Sequence, residues 1–378
     1  MQRRGFMKAA VVGAGSVALT FTLGREALAY PAQTGASPYG GLQAADANGL
    51  MLPKGFTSRV VARTGQLVGN TKHVWHGAPD GGACFADGTG WIYVSNAELG
   101  KGAGGVSAVK FDGAGNITGS YPILSGTTDN CAGGASPWNT WISCEEHNKG
   151  LCWETDPWGV KPAVSHEAMG VFNHEAAAFD PDRKVVYLTE DEPDGGFYRY
   201  TPTAWGNLSE GKLEVLTTDL TWAAVKPKGQ DCRKQVKNMH LFDGGEGAYY
   251  RNNICYFTTK GDDKVWAYNA ATNQLATVYD NDTTANAPLT GVDNITGDPH
   301  VGDLFVAEDG GDMEICVITP NDVIAPFVKI VGQDDSEIAG VAFNPAGTRM
   351  YFSSQNGTTG TDDGGITYEV TGPFRRSL

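Results

Sequence analysis

The sequence has few basic residues and, after its N-terminal segment, no long apolar run. Its 378 residues contain 28 lysines and arginines against 43 aspartates and glutamates, which gives a formal net charge of −15. Nucleic-acid binding requires clustered cations, so we expect no nucleic-acid partner. The stretch from Ala9 to Gly24 is short for a bilayer span and is diluted by glycines, so we expect no stable membrane anchor. The glycine-rich residues 100–105 lack the strand–helix context of a phosphate-binding loop.

Cysteine is also scarce, and its number is odd. The seven cysteines stand at positions 84, 131, 144, 152, 232, 255 and 316. At least one thiol therefore lies outside any set of intramolecular disulfides. We expect Cys131 to be free, because it occupies a place in a repeat that carboxylates otherwise hold. The pairing of the other cysteines does not follow from the sequence.

The first 29 residues have the features of an export signal. Arg3-Arg4 is a twin-arginine pattern, an apolar stretch follows, and Ala27-Leu28-Ala29 offers small residues before a cleavage site. We predict a twin-arginine signal peptide over residues 1–29 with cleavage near Ala29, a flexible lead-in over 30–50 and one domain over 51–378. The protein would be periplasmic or extracellular, with the twin-arginine export machinery as a partner. Since that machinery carries folded proteins, a cofactor would be acquired before export.

Glycine and turn residues are abundant, and they occur in a repeating pattern. The 51 glycines and 18 prolines favour an all-β chain. On a period near 50 residues, a polar leader stands about a dozen residues before a short β-type run that ends in polar groups. Trp91 to Ser95, for example, is followed by Asn96 and Glu98. The six leaders are Asp80, Cys131, Glu175, Glu246, Asp293 and Glu337.

These repeats predict a β-propeller. Each combines hairpin turns, such as Asp180-Pro181-Asp182, with aromatic-rich strands. Four antiparallel strands in about 50 residues make one blade. We therefore predict a single six-bladed β-propeller of mostly four-stranded antiparallel blades, and a monomer. If each leader begins the innermost strand of its blade, leaders and polar closures meet at one mouth of the central channel.

A ring of acids at a channel mouth indicates a metal site. Oxygen-rich rings suit calcium, which accepts irregular six- to eight-fold coordination. Cys131 is the exception, because a thiolate favours a transition metal such as iron or zinc. The mixed ring therefore predicts more than one type of metal.

Several motifs carry a resemblance to a known family. In their order along the chain they resemble the alkaline phosphatase PhoX family, and they cover most of residues 75–356. The most specific string is Asn130-Cys131-Ala132-Gly133-Gly134, then Pro137-Trp138-Asn139-Thr140-Trp141, then Cys144-Glu145-Glu146. The other matches include Asn173-His174-Glu175, Glu246-Gly247 and Asp293-Asn294-Ile295.

The resemblance implies a six-bladed propeller that hydrolyses phosphate monoesters. It implies a mixed cluster of Fe³⁺ and Ca²⁺ on the axis, bridged by an oxo group, with a small phosphoester as substrate. Cys131 would bind iron, and Glu146 would bind or bridge metals. The implied metal ligands are Cys131, Glu146, Glu175, Glu246, Asp293, Glu337, Asn96 and Glu98. The candidate catalytic residues are Glu146, His174 and Lys260.

One departure from the family leaves the substrate open. The family pattern places an arginine two residues before the glutamate that Glu246 matches, and this chain has Gly244 there. His174, Lys260 or Arg251 could substitute in holding the substrate phosphate, and the sequence does not select among them. Two other functions also fit the repeats. One is a calcium-dependent propeller lactonase or esterase, which needs neither thiolate nor iron; the other is a non-catalytic propeller that binds metal or a partner protein.

Overall fold

The strands form six sheets around one axis, which confirms the predicted all-β propeller. The computed structural model describes residues 31–229 and 231–377, which form 27 strands and two short 3-10 helices, Glu167–Met169 and Cys232–Lys234. The predicted signal peptide lies outside the described residues. Within the described part of the chain, no helix has the length and apolar character needed to cross a membrane.

The strands follow one another along the chain, blade by blade. Three short strands come first: β1 (Gln33–Thr34), β2 (Leu50–Met51) and β3 (Thr57–Arg63). The first two blades contain β4 (Pro79–Asp87), β5 (Gly90–Ala97), β6 (Gly104–Phe111) and β7 (Ile117–Thr127), then β8 (Asn130–Ala135), β9 (Trp141–Glu145), β10 (Cys152–Thr155) and β11 (Val164–Ser165). The third, with five strands, contains β12 (His174–Asp180), β13 (Val185–Glu190), β14 (Phe197–Ala204), β15 (Asn207–Leu216) and β16 (Trp222–Val225).

The remaining blades have the same antiparallel order. The fourth contains β17 (Gly245–Arg251), β18 (Ile254–Thr259), β19 (Lys264–Asn269) and β20 (Gln274–Asp280). The fifth contains β21 (Val292–Gly297), β22 (Leu304–Glu308), β23 (Glu314–Ile318) and β24 (Val323–Ile330). The sixth contains β25 (Ile338–Phe343), β26 (Arg349–Ser354) and β27 (Ile366–Thr371).

An early strand closes the ring. Strand β3 pairs antiparallel with β27 and completes the sixth blade. The strands β4, β8, β12, β17, β21 and β25 are innermost, and each contacts the next around the ring. The lead-in, which we expected to be flexible, instead adds β1 and β2 to the edge strand β24 of the fifth blade. Backbone pairing therefore holds parts of the lead-in against the propeller.

Aromatic side chains hold the blades together. Between the third and fourth blades, Tyr187, Phe197, Phe257 and Tyr268 are buried in one cluster. The rings of Phe197 and Phe257 are stacked, with their centroids 4.3 Å apart and an interplanar angle of 11°. Offset stacking of this kind adds about 1 kcal/mol to the burial of the rings. This packing between blades holds the inner strands in fixed positions, and so it also fixes the positions of side chains at the ends of those strands.

The central channel narrows to a waist of small residues. Gly81, Ala132, Ala176, Gly247 and Gly340 line it. A Cβ atom on Gly81 would lie 2.5 Å from Cα of Ala132 in the next blade, so no larger residue fits there. Glycine thus permits the close approach of neighbouring inner strands.

Candidate metal centre

Five of the six predicted leaders occupy one structural position. Each is the second residue of the innermost strand of its blade: Asp80, Cys131, Glu175, Glu246 and Asp293. In every case the register of the pairing with the second strand shifts across this position, as in a β-bulge, so the leader lies between the two paired residues that flank the shift. Bulges re-aim side chains at the rims of β-structures. Here they accompany the acids and the cysteine that converge on one mouth of the channel.

The sixth leader lies outside this pattern. The second residue of β25 is Ala339, and Glu337 precedes the strand. Burial together with the charges of Asp80 and Asp293 raises the pKa of Glu337 well above its ordinary value, so its carboxyl still lies close to theirs. Glu337 therefore lies in the loop before β25, outside the repeat position that the sequence indicated.

Seven residues form three overlapping groups with metal-ligand spacing. Within each group, one ligand atom from each residue lies within 4.8 Å of the others. The groups are Asp80 with Glu98 and Cys131, Cys131 with Glu146 and Glu175, and Glu175 with Glu246 and Asp293. Because Cys131 and Glu175 are shared, the three groups form one continuous cluster. Asp80, a leader that the resemblance does not include among the ligands, belongs to it.

Burial and mutual repulsion raise the pKa values of these acids. Burial first, and the charges of Glu246, Glu146 and Asp293 next, raise the pKa of Glu175 well above its ordinary value. Burial and a hydrogen bond with Asp191 raise the pKa of Glu146 to about 11. Like charges in a buried cluster disfavour ionisation. Cations among these carboxylates would remove that penalty.

Glu175 provides the clearest test of whether a metal fits. Its side chain is fully buried, and neither carboxylate oxygen has a hydrogen-bond partner. Buried polar atoms without partners are rare in native proteins, and each one calls for an explanation such as an ion. Two bare oxygens between Cys131 and Glu246 are suitable donors for a metal, so the residues present fit a metal cluster.

Polar side chains of the second strands hold the leaders in place. Asn96 Nδ2 donates hydrogen bonds to the carbonyl oxygens of Cys131 at 2.7 Å and Ala132 at 2.8 Å. Thr189 Oγ1 donates to the carbonyl oxygen of Glu246 at 2.6 Å. In both cases the second strand of one blade fixes the backbone of a leader in another.

Asn96 was predicted to be a metal ligand, but its side-chain amide instead bonds to the second blade. Both hydrogen bonds from its Nδ2 go to the backbone of the second blade, and its Oδ1 accepts a hydrogen bond from Trp141 Nε1 at 2.9 Å. The amide is occupied with joining two blades, so we do not count Asn96 among the candidate ligands. Glu98, two residues on, belongs to the cluster.

Of the three predicted substitutes for the missing arginine, Lys260 alone lies at the acidic mouth. Its Nζ is 2.8 Å from both Asp191 Oδ2 and Glu246 Oε1. A Cβ atom on Gly244 would lie 3.0 Å from Lys260 Cγ, so the lysine stem passes through the space beside this glycine. Although burial alone would lower it, the charges of Glu246 and Asp191 raise the pKa of Lys260. Lys260 is therefore a fixed cation beside the cluster.

His174 and Arg251 lie elsewhere. His174 is fully buried, its Nε2 donates to the carbonyl oxygen of Gly170 at 3.0 Å, and its ring lies 3.7 Å from that of Phe172. Successive residues of a strand point to opposite sides, so Glu175 faces the axis and His174 faces the core. The prediction of His174 as a catalytic residue conflicts with this position. Arg251 donates to the carbonyl oxygen of Asp298 and lines the opposite mouth of the channel.

Two polar neighbours of the cluster, Gln355 and Asp191, were not among the predicted site residues. Gln355 Nε2 donates to Asp80 Oδ2 at 2.8 Å and to Glu98 Oε2 at 2.6 Å, which ties the sixth blade to the first. Asp191 makes the ion pair with Lys260. Both stand among the polar residues that close the repeats, and this position was the available indication of their role.

The channel has a second, chemically different mouth. A cavity of about 610 Å³ opens at the far ends of the inner strands, where Cys84, Phe179, Tyr249 and Phe343 contribute to its lining. The waist of small residues separates it from the acids. This cavity therefore does not coincide with the cluster.

Fold and site together define a six-bladed β-propeller whose axis carries a candidate metal centre. The sequence model of the alkaline phosphatase PhoX family matches residues 89–156 and 147–271, close to half of the chain. This match agrees with the family resemblance that the motifs carry. The matched part contains Cys131, Glu146, Glu175, Glu246 and Lys260.

Solved structures resemble the chain in fold. A gluconolactonase from Xanthomonas campestris is 12% identical, with 92% of this chain and 96% of that chain covered and a TM-score of 0.52. A protein of unknown function from Bacteroides thetaiotaomicron is 7% identical, with 84% and 76% covered and a TM-score of 0.53. Identities this low show the propeller fold alone. No curated protein matches the sequence.

Proposed function

We propose that the protein is an exported phosphatase that hydrolyses phosphate monoesters at a cluster of iron and calcium ions. The observation that carries this proposal is the pair of unpartnered oxygens on the buried Glu175, beside the Cys131 thiol. A thiolate among carboxylates suits iron, and the surrounding oxygens suit calcium. The family match supports phosphatase chemistry at the family level.

The residues of the cluster would hold the metals. Cys131 would bind iron, and Asp80, Glu98, Glu146, Glu175, Glu246 and Asp293 would supply oxygen ligands. When bound, such a cluster supplies Lewis-acid stabilisation of the negative charge on the phosphoryl and leaving oxygens. Because phosphoryl transfer depends mainly on positioning and charge, no covalent side-chain nucleophile is required.

Lys260 would orient the substrate. Its side chain is about one-third exposed, and its ammonium contacts Glu246 and Asp191 at the mouth. Lys260 would thus present a cation in a fixed position to a phosphoryl oxygen that approaches the cluster. Lys260 would thereby take the role of the arginine that Gly244 replaces. A lysine provides a point charge where an arginine provides a two-pronged fork.

Turnover of a simple ester tests the proposal. We expect metal-loaded protein to hydrolyse p-nitrophenyl phosphate at alkaline pH, a chelator to abolish the activity, and added iron and calcium to restore it. The diester bis(p-nitrophenyl) phosphate serves as the control for monoester preference. Inactivity of iron-bearing protein across a panel of phosphate monoesters would overturn the proposal.

Lactone hydrolysis is the alternative that the fold permits. The likeness to the Xanthomonas gluconolactonase concerns the fold and carries no activity to this chain. A calcium-dependent lactonase has no need of a thiolate, whereas Cys131 lies within two of the three ligand groups. Gluconolactone hydrolysis by protein that holds calcium alone, unchanged in a Cys131→Ser variant, would favour the alternative.

A further inference from the structure

Two cysteines outside the metal centre face each other across a hairpin of the second blade. Cys144 in β9 and Cys152 in β10 are direct register partners. Their sulfur atoms are 3.9 Å apart, and both side chains are fully buried. Neither residue belongs to the ligand groups.

The register places this pair where side chains approach most closely. The amide of Glu145 donates to the carbonyl oxygen of Leu151 at 3.1 Å, so Glu145 and Leu151 form a hydrogen-bonded pair at the end of the ladder. Bonded and non-bonded pairs alternate along an antiparallel ladder, which makes Cys144 and Cys152 a non-hydrogen-bonded pair. Such pairs have Cα atoms about 4.5 Å apart, within the range that a disulfide spans.

The other five cysteines are dispersed over the fold. They lie in β4, β8, the second 3-10 helix, β18 and β23. The Cys144–Cys152 pair is therefore the one that local register brings together, whereas Cys131 belongs to the candidate ligand groups.

We propose that Cys144 and Cys152 form a disulfide when the protein meets an oxidising compartment. Exchange with a disulfide donor, such as oxidised glutathione or the disulfide of an oxidoreductase, would make the Cys144–Cys152 bond. The two cysteines are oxidised, the donor is reduced to two thiols, and those thiols carry away the two cysteine protons. This bond would brace the hairpin whose first strand leads directly into Glu146, two residues after Cys144.

Peptide mapping tests the bond without any assumption about activity. The reduced, purified chain is incubated with excess oxidised glutathione until its thiol content is constant, and is then denatured and alkylated. Trypsin cleaves after Lys149, which lies between the two cysteines. We expect the two flanking peptides to remain linked until a reductant is added, with fragment ions that place the bond at Cys144 and not at Cys131 of the same peptide.

Variants and a melting curve make the test decisive. Cys144→Ala should abolish the link, and Cys316→Ala, which removes another buried strand cysteine, should leave it intact. Wild type and Cys316→Ala should unfold at a higher temperature when oxidised than when reduced, because the bond restricts the unfolded chain. Alkylation of both Cys144 and Cys152 after incubation, or glutathione adducts on them in place of the link, would overturn the proposal.

Discussion

The Nζ atom of Lys260 lies 2.8 Å from Oε1 of Glu246, at the mouth that gathers the acids. Burial raises the pKa of Glu246 to about 8, and Lys260 acts against that rise. The lysine therefore stabilises a candidate ligand as a carboxylate, and in the proposed function it would also provide a cation for the substrate. Gly244 is the reason that it fits, since a side chain there would crowd the lysine stem.

Replacing Lys260 by methionine should lower kcat/KM for p-nitrophenyl phosphate by about 100-fold, the typical loss for one preorganised group that stabilises transition-state charge. Lys260→Arg should recover part of the loss, because it restores the charge. Steady-state kinetics on metal-replete protein provide the measurement. A Lys260→Met variant with wild-type kcat/KM would exclude the proposed role in substrate binding.

His174 is the matched control for that experiment, because it was predicted alongside Lys260 but lies in the core. A folded His174→Gln variant should retain kcat within about 2-fold, although it loses stability through an altered buried hydrogen bond. A large fall in kcat at unchanged metal content would instead return His174 to the list of catalytic residues.

Glu175→Gln should lower the metal content of the protein. The change removes the negative charge of a residue shared by two of the three ligand groups. Glu308→Gln is the control, because Glu308 is also fully buried but accepts hydrogen bonds from the amides of Thr290 and Glu314. Metal content per folded chain, measured by inductively coupled plasma mass spectrometry, should fall in the first variant alone. Equal metal content in both would exclude Glu175 as a ligand.

Asn96→Ala should destabilise the propeller without removing a ligand. It leaves the carbonyl oxygens of Cys131 and Ala132 and the indole N–H of Trp141 without their partner. Unsatisfied buried groups cost about 1–3 kcal/mol each, so we expect the free energy of unfolding to fall by about 3 kcal/mol or more. Urea unfolding gives the value, and a milder Asn96→Asp variant serves for comparison. Loss of metal at unchanged stability would make Asn96 a ligand after all.

The stability of the protein should depend on pH through Glu308. Burial raises the pKa of Glu308 from 4.5 to about 7. The folded state therefore holds a proton that the unfolded state releases between these values, and folding loses stability as the pH rises through this window. Relative to Glu308→Gln, wild type should lose about 3 kcal/mol between pH 4 and pH 8. Parallel stability curves for the two proteins, from urea unfolding in metal-free buffer, would contradict this shift.

The repeat made much of the fold and part of the site predictable. A period near 50 residues, with a leader in phase, was sufficient to place Asp80, Cys131, Glu175, Glu246 and Asp293 on the inner strands. These positions follow from local pattern, because strand alternation and blade order constrain them. The family resemblance supplied the metal-binding role of Glu146, which directly follows β9 and lies outside the leader phase.

The remaining features depend on contacts that local pattern does not encode. Whether Glu337 or Ala339 takes the sixth place is decided by where β25 begins to pair with β26. Asn96 and Gln355 have similar amide groups, but one joins two backbones and the other bridges two acids. His174 and Glu175 are adjacent in sequence and face opposite sides. For the two amides, the deciding contacts join residues of different blades that are far apart in the chain.

The metal content of the purified mature protein tests the central claim most directly. Elemental analysis of wild type should find iron together with calcium, and Cys131→Ser should lose the iron. Absence of iron from active wild-type protein, or iron retained in full by Cys131→Ser, would contradict a mixed cluster held by Cys131 and the acids around Glu175.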